Sequence, residues 1–421
     1  MAQQQIDRRG LIGLGLALSA AAGASHAAPA PTSAAAGNPA DWSAVAAQYD
    51  VTSEVTQLEN GNWGMMARSV QAAYERNLEM VNRSTSYYSR RGFGADMTPI
   101  RARVAANLGV GVDEIAFTRG ATESLLTLVG GYNRLRPGDQ VLYADLDYDS
   151  TQAGFRWLAQ RRGVEPVTFA LPEPATYQGL IDAYAAALAA HPRVKLMLLT
   201  HVGHRTGLVV PVAEIVALAR AHGVDVIVDS AHAWGQLDFK LGDLGADFVG
   251  LTCQKWIGAP IGVGVLYIRR SRIADIDPAM GAEGAGDDIG RRVHTGTSNF
   301  AGFLTVPQAL DFHESIGAGA KERRLRQLRD RWAEALRDHG RIEILTPSDP
   351  RLTCAITSFR LRGQTSPEQN RALAADLLKR FNIFTVERSG AASGSCVRVT
   401  PALFTTEADI DRLIAALRTY A

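Results

Sequence analysis

From Ile115 onward, short and evenly apolar runs alternate with amphipathic stretches. "EIAFT" is followed by "ESLLTLVGGYNRL", "QVLYAD" by "TQAGFRWLAQRRG", and "KLMLLTHV" by "VAEIVALARAHG". "VDVIVDS" and "FVGLTC" come next, then "GVGVLYI". Runs of four to eight apolar residues with no polar face belong to strands covered on both sides, so the pattern predicts an α/β fold with a mainly parallel sheet. From about Lys321 the pattern changes. "KERRLRQLRDRWAEALRDHG" predicts a long charged helix. After it come "TCAITSFRL", a helix from Ser366, "FTVER", "CVRVTP" and a last helix, which together predict a smaller α+β domain. The expected division is a large domain over 99–320, a small C-terminal domain over 321–421, and an N-terminal segment over 42–98 that packs with the small domain.

Before residue 42 the chain is different in kind. "IDRRGLIGLGLALSAAAGASHAAPAP" has two arginines, a weakly apolar stretch and then small residues. This predicts an export signal over 1–28 and a low-complexity linker over 29–41, hence a periplasmic location after signal removal. The apolar part is too short to span a bilayer, so no stable membrane insertion is expected. Arg8 and Arg9 resemble the twin-arginine type, which would make that export machinery a partner. The match departs from the type at Asp7 and at Gly10-Leu11, and a general secretory signal is the alternative.

Composition narrows the field further. The 421 residues are 46% hydrophobic and 21% charged, with a net charge of +1. With no long basic run, nucleic acid is not an expected partner. The three cysteines show no C-x-x-C spacing, and His201-x-x-His204 has no companion acid or thiol nearby, so no metal site is expected.

In an open parallel sheet, ligands sit outside the carboxyl ends of the strands. The residues just after each predicted strand are Arg119 to Thr122, Asp147-Tyr148, His201 to Thr206, Asp229 to His232, and Gln254-Lys255. "FTRGATESLL" puts a glycine between a strand and a helix, where free amides and the helix dipole favour a phosphate; a simple capped helix would read the same. "VDVIVDSAHAWG" ends a buried strand in Asp229, which needs a cationic partner. "GLTCQKWIGAPIGVGVLYI" puts Lys255 between two apolar runs, where an ammonium is costly. Asp229 and Lys255 could be a plain ion pair. Beside a phosphate cradle they also describe a pyridoxal 5'-phosphate site, with the lysine joined covalently to the cofactor and the aspartate holding its ring nitrogen protonated.

Taken together, these motifs resemble fold-type I pyridoxal phosphate enzymes of the class V aminotransferase family, which includes isopenicillin N epimerase-like proteins, cysteine desulfurases and kynureninase. The resemblance runs from "LENGNWG" to "CVRVTP". It is strongest in "VDSAHAWGQLDFKLGDLGADFVGLTCQKWIGAPIGVGVLYI", which looks most like the epimerase-like branch. It implies that Lys255 bonds to the cofactor and that Asp229 pairs with the pyridine nitrogen. His232 matches a position near the phenolic oxygen. Ala121 and Thr122 match phosphate-binding groups, with Gln254 beside them. Tyr148 falls where an aromatic stacks on the ring, and His204 where many members have an asparagine near the phenolic oxygen. Thr297 matches a residue that reaches the phosphate of the neighbouring subunit, which implies a homodimer. Arg398 matches the arginine that holds the substrate α-carboxylate, with Glu407 as the partner it would have if it were structural and Arg205 as the next arginine in line.

Cofactor and fold leave the reaction open among transamination, epimerisation and elimination. A cysteine desulfurase would need a nucleophilic cysteine on a mobile loop. Here Cys396 lies two residues before Arg398 in a predicted strand, and "ERSGAASG" is a short substitute for that loop. Epimerisation needs a second base, and Tyr148 is the one nameable candidate. The expected function is an exported enzyme acting at the α-carbon of an amino acid or amino-acid moiety of a secreted metabolite, with peptide-siderophore tailoring as an analogy. A lyase or desulfurase-like enzyme is the alternative. A non-catalytic periplasmic binding protein is a third reading, against which the presence of both Asp229 and Lys255 argues.

Overall fold

Seven strands form the central sheet of the computed structural model, which describes residues 41–282, 286–294 and 296–420. They are β1 (Ile115–Thr118), β2 (Gln140–Ala144), β3 (Glu165–Phe169), β4 (Val194–Thr200), β5 (Asp225–Asp229), β6 (Phe248–Thr252) and β7 (Gly264–Ile268). Their order is β1-β7-β6-β5-β4-β2-β3. The neighbours from β6 to β3 are parallel, and β7 runs antiparallel to both β6 and β1. The fold-type expectation of a mainly parallel sheet is met. The expected export signal lies outside the described residues, as does the expected linker apart from Asp41, which caps the helix Trp42–Ala46.

The apolar runs work as predicted because alternate residues feed two separate cores. Leu196 and Leu198 of β4 join a cluster with Leu125, Leu128 and Ile227, while Met197 and Leu199 face a cluster with Val104, Val226 and Val228. Neither face of the sheet is wet, so there is no polar alternation to see. The edge strand β3 ("EPVTF") has no such signature. It is half-exposed and contains a proline, and the sequence pattern missed it.

The C-terminal part has its own antiparallel sheet of four strands: β8 (Ile342–Ile344), β9 (Thr357–Leu361), β10 (Val386–Arg388) and β11 (Cys396–Val399), in the order β10-β11-β9-β8. The helix Ala318–Leu336 buries Leu325, Leu328, Trp332 and Leu336, a helical stripe hidden among its charges. Trp332 and Leu336 pack with Phe359, Leu377, Val397 and Val399 in a third core.

The N-terminal segment divides its contacts. Thr56–Gln57 pair in parallel with Ile383–Phe384 of the small domain. The helix Arg68–Arg91, broken at Thr85, and the helix Phe93–Leu108 lie instead on Phe300–Leu304 and Val306–Ile316 of the large domain. Tyr49 and Met66 pack against the large-domain core, which explains why the small domain cannot claim the whole segment.

Between these parts, the "GNWG" stretch crosses the end of β6. The Gly64 amide donates to the Gln254 carbonyl at 2.7 Å. A Cβ on Gly64 would stand 1.8 Å from the Lys255 carbonyl oxygen, so only glycine allows this crossing. Gly64→Ala is therefore expected to destabilise the protein by about 1–3 kcal/mol, since one backbone must be pushed off the other. Denaturant unfolding checks this, and an unchanged midpoint would show that the two segments separate freely.

Candidate active site

A cavity of about 530 Å³ opens at the carboxyl end of the sheet. Residues following five strands line it: Gly120 to Thr122 after β1, Tyr148 after β2, Val202 and His204 after β4, Asp229 to His232 at the end of β5, and Gln254-Lys255 after β6. The small domain adds Arg388 and Arg398, and the crossing segment adds Gly61 and Asn62. Nine of the ten site residues expected from sequence meet here: Ala121, Thr122, Tyr148, His204, Asp229, His232, Gln254, Lys255 and Arg398. Thr297 is exposed and does not line the cavity of its own chain.

Burial decides the chemistry of the acid and the lysine. Asp229 is buried, its strand paired with Thr200 on one side and Gly250 on the other. Burial raises its carboxyl above the usual range, opposed by a 2.9 Å hydrogen bond from the Ala231 amide and by the charge of Lys255. Burial also pulls the Lys255 ammonium down to about 8, against the attraction of Asp229. Near neutral pH a far larger share of it is free amine than for a lysine in water. Nζ lies 3.0 Å from Nε2 of His232. On its other side, His232 Nδ1 accepts from the indole N–H of Trp256 at 3.3 Å.

Beside Gln254, helix Ala121–Gly131 begins directly after β1. Its N-cap is Gly120, which has no side chain to cap the first-turn amides. Those donors and the positive end of the helix face the cavity where Ala121 and Thr122 line it. Gln254 braces the rim, its Oε1 accepting from the Gly262 amide at 2.7 Å. Tyr148 packs edge-on to His204, with centroids 5.2 Å apart. Nδ1 of His204 is buried without a partner, and burial beside Arg205, Arg398 and Lys255 keeps its ring neutral.

Asp147 is a hidden support. Its carboxylate accepts from the Ala144 amide at 2.7 Å and from the Thr200 amide and hydroxyl at 3.0 and 2.6 Å. It ties the ends of β2 and β4 together just below the cavity. Burial pushes its carboxyl up to about 7.

Arg398 is almost wholly buried, and its structural partner is Glu59 at 2.5 Å. Glu407 pairs with Arg324 and Arg331 instead. Arg398 also donates to the His204 carbonyl at 2.6 Å, while its Nε has no partner. A Cβ on Gly61 would come within 2.6 Å of the guanidinium, so this glycine makes room for it. Glu59 also lies 3.5 Å from Arg388. Arg205 does not reach the cavity: it clamps the Asp145, Asp147 and Ser389 carbonyls and the Asp149 carboxylate. Sequence reasoning missed Glu59, Arg388 and Trp256. Glu59 lies in the "LENGNWG" stretch, but nothing local marks it as the partner of an arginine 339 positions away.

The donor set fits pyridoxal phosphate. One wall offers uncapped helix amides for a phosphate, and the floor offers a buried carboxyl raised by desolvation that a protonated ring nitrogen would satisfy. A desolvated amine for an aldehyde stands beside them. Among the described residues no cluster of histidine, cysteine or acid side chains could hold a metal ion, and no helix is long and apolar enough to cross a membrane.

The comparisons with known proteins agree. The family model for aminotransferase class-V matches residues 66–413. Isopenicillin N epimerase of Streptomyces clavuligerus is 30% identical over 399 residues, covering 90% of this chain and 98% of the relative. A cysteine desulfurase of Serratia proteamaculans (strain 568) is 26% identical, covering 82% and 91%. Among solved structures, a mutant of the enzyme C-DES with glycine covalently linked to its pyridoxal phosphate cofactor superposes with a TM-score of 0.77 at 23% identity, covering 88% of this chain and 98% of that one. The last likeness shows the fold, and the first two extend to sequence. The chain is a pyridoxal phosphate-dependent enzyme and belongs to the class-V aminotransferase family.

Proposed function

We propose that this enzyme is exported and acts at the α-carbon of an amino acid, or of an amino-acid moiety in a secreted metabolite, by transamination or epimerisation. The observation that carries the reading is the cavity itself, whose lining brings together Lys255, Asp229, the uncapped start of helix Ala121–Gly131 and the buried guanidinium of Arg398. Bound pyridoxal phosphate supplies an electron sink for the pair left when a bond to the α-carbon breaks.

The chain's own residues divide the remaining work. The first-turn amides at Ala121 and Thr122 receive the phosphate, with Gln254 beside them. Asp229 holds the ring nitrogen in its protonated form. Tyr148 and His204 would bound the ring, and Nε2 of His232 stands 3.0 Å from the Lys255 amine. Lys255 would hold the cofactor through its amine, and that amine, when free, is the base placed to take the α-proton. Arg398 pairs with the substrate carboxylate through charge-assisted hydrogen bonds. Thr297, exposed on its own protomer, reaches the phosphate of a second copy, so the working unit is a homodimer.

A desulfurase reading is disfavoured by the cysteines. Cys396 is fully buried in β11, and burial pushes its thiol up to about 11, far from a thiolate nucleophile. Export through the twin-arginine route rests on Arg8 and Arg9 and would carry the enzyme out already folded around its cofactor.

Incubating the holoenzyme with amino acids and amino-acid-terminated peptides in D2O tests the activity. Loss of the α-proton signal together with a change in cofactor absorbance is expected for true substrates. Lys255→Ala should abolish exchange and borohydride trapping of the cofactor. Exchange that persists at the wild-type rate in this variant would overturn the assignment of the base.

Arg398→Lys keeps the charge and loses the planar fork. It should cost about 2–4 kcal/mol of substrate binding, a rise in the Michaelis constant of roughly 30- to 1,000-fold. Cofactor attachment should be untouched. Unchanged apparent affinity would make Arg398 a purely structural partner of Glu59.

A further inference from the structure

We propose that Trp256 is a positioning residue: its indole fixes the tautomer of His232, and so dictates that the imidazole faces Lys255 as a hydrogen-bond donor. Trp256 follows the cofactor lysine directly, and nothing in the local sequence gives it a chemical task. Its side chain is buried among Val202, Ala233, Leu325 and Ile356. An indole N–H can only donate. It points at Nδ1 of His232 from 3.3 Å, so Nδ1 must be the unprotonated, accepting nitrogen.

A neutral imidazole carries one proton. With Nδ1 committed to the indole, that proton sits on Nε2, 3.0 Å from Nζ of Lys255. Nε2–H donates, and its partner must offer a lone pair. An ammonium has none, whereas a free amine does. The opposite tautomer would set two N–H groups face to face at the indole and would let Nε2 accept from a charged lysine. Trp256 thus biases Lys255 toward its amine form through His232. When the cofactor is bound, the same Nε2–H can serve only an accepting atom beside the lysine.

The supporting frame holds each member in place. Gln236 Nε2 donates to the His232 carbonyl at 2.5 Å. The Trp256 carbonyl accepts from Lys321, a buried lysine of the helix Ala318–Leu336. The ionisable groups around the pair come from every neighbouring element. They are Asp229 at the end of β5, His204 after β4, Arg388 and Arg398 from the small-domain sheet, and Glu59 from the N-terminal segment, with Lys321 behind the indole. Burial and the surrounding cations hold His232 neutral, which is the condition the tautomer argument requires.

Two measurements test the proposal. In the wild-type holoenzyme labelled with 15N-histidine, the His232 resonances (assigned by loss in His232→Gln) should show an unprotonated Nδ1 and a protonated Nε2. A protonated Nδ1 overturns the proposal without need of any Trp256 variant. In the full chain stripped of cofactor, Lys255 is labelled by reductive methylation across pH and quantified by mass spectrometry. Trp256→Phe keeps an aromatic ring and removes the N–H, so His232 becomes free to accept from the ammonium. The pH at which Lys255 becomes reactive should then rise by about half a unit to one unit. A purely packing role for Trp256 predicts a changed melting temperature with superimposable labelling curves, and that result would sink the proposal.

Discussion

A lysine amine shut away from water cannot remain an ammonium at ordinary cost, and the architecture around Lys255 is organised by that constraint. Burial weakens the charged form, Asp229 draws it back, and Nε2 of His232 lies within hydrogen-bond reach. The result is a nitrogen poised near neutrality rather than one locked in either state. Asp229 is governed by the same desolvation with the opposite sign, because a buried acid prefers its proton. Each of the two groups is out of place alone. Together in one cavity, each lessens the cost of the other's charge.

This balance depends on dry walls, and several layers supply them. Two apolar cores flank the sheet, and a third group packs beneath Trp256 where the large and small parts meet. Polar struts stop the strand ends from moving apart: Asp147 fastens β2 to β4, and Arg205 clamps the Asp145 and Asp147 carbonyls behind them. Arg205 looked like a spare ligand from its place after β4, yet all three of its nitrogens donate to scaffold groups.

What could be read in the sequence, and what could not, follows from range. The strands β4, β5 and β6 announce themselves because both faces are apolar, and their ends locate Asp229 and Lys255 without any structure. The helix start at Gly120 is equally local. Pairings between distant parts leave no such trace. The Glu59 carboxylate that meets Arg398 and Arg388, and the approach of Gly64 to Lys255, are products of packing among segments far apart in the chain. Trp256 was in plain view but carried no role, since only the direction of its N–H reveals the histidine. The half-exposed β3 was lost for the reverse reason, having too little apolar signal to register.

The crossing of the N-terminal segment also sets an order of events. Asn60 donates to the Thr400 hydroxyl and carbonyl at 2.6 and 2.8 Å, and Glu59 meets Arg398 two positions earlier. These partners are separated by about the whole length of the folded body, so closing them costs loop entropy that no local contact refunds along the way. During synthesis, the segment around Glu59 leaves the ribosome first and must wait for β11, which is among the last strands made. Lys255 and Asp229 can find their strands well before that. The cavity therefore gains its arginine wall last, and a chain stopped short of Arg398 would leave Asp229 and Lys255 facing an open side.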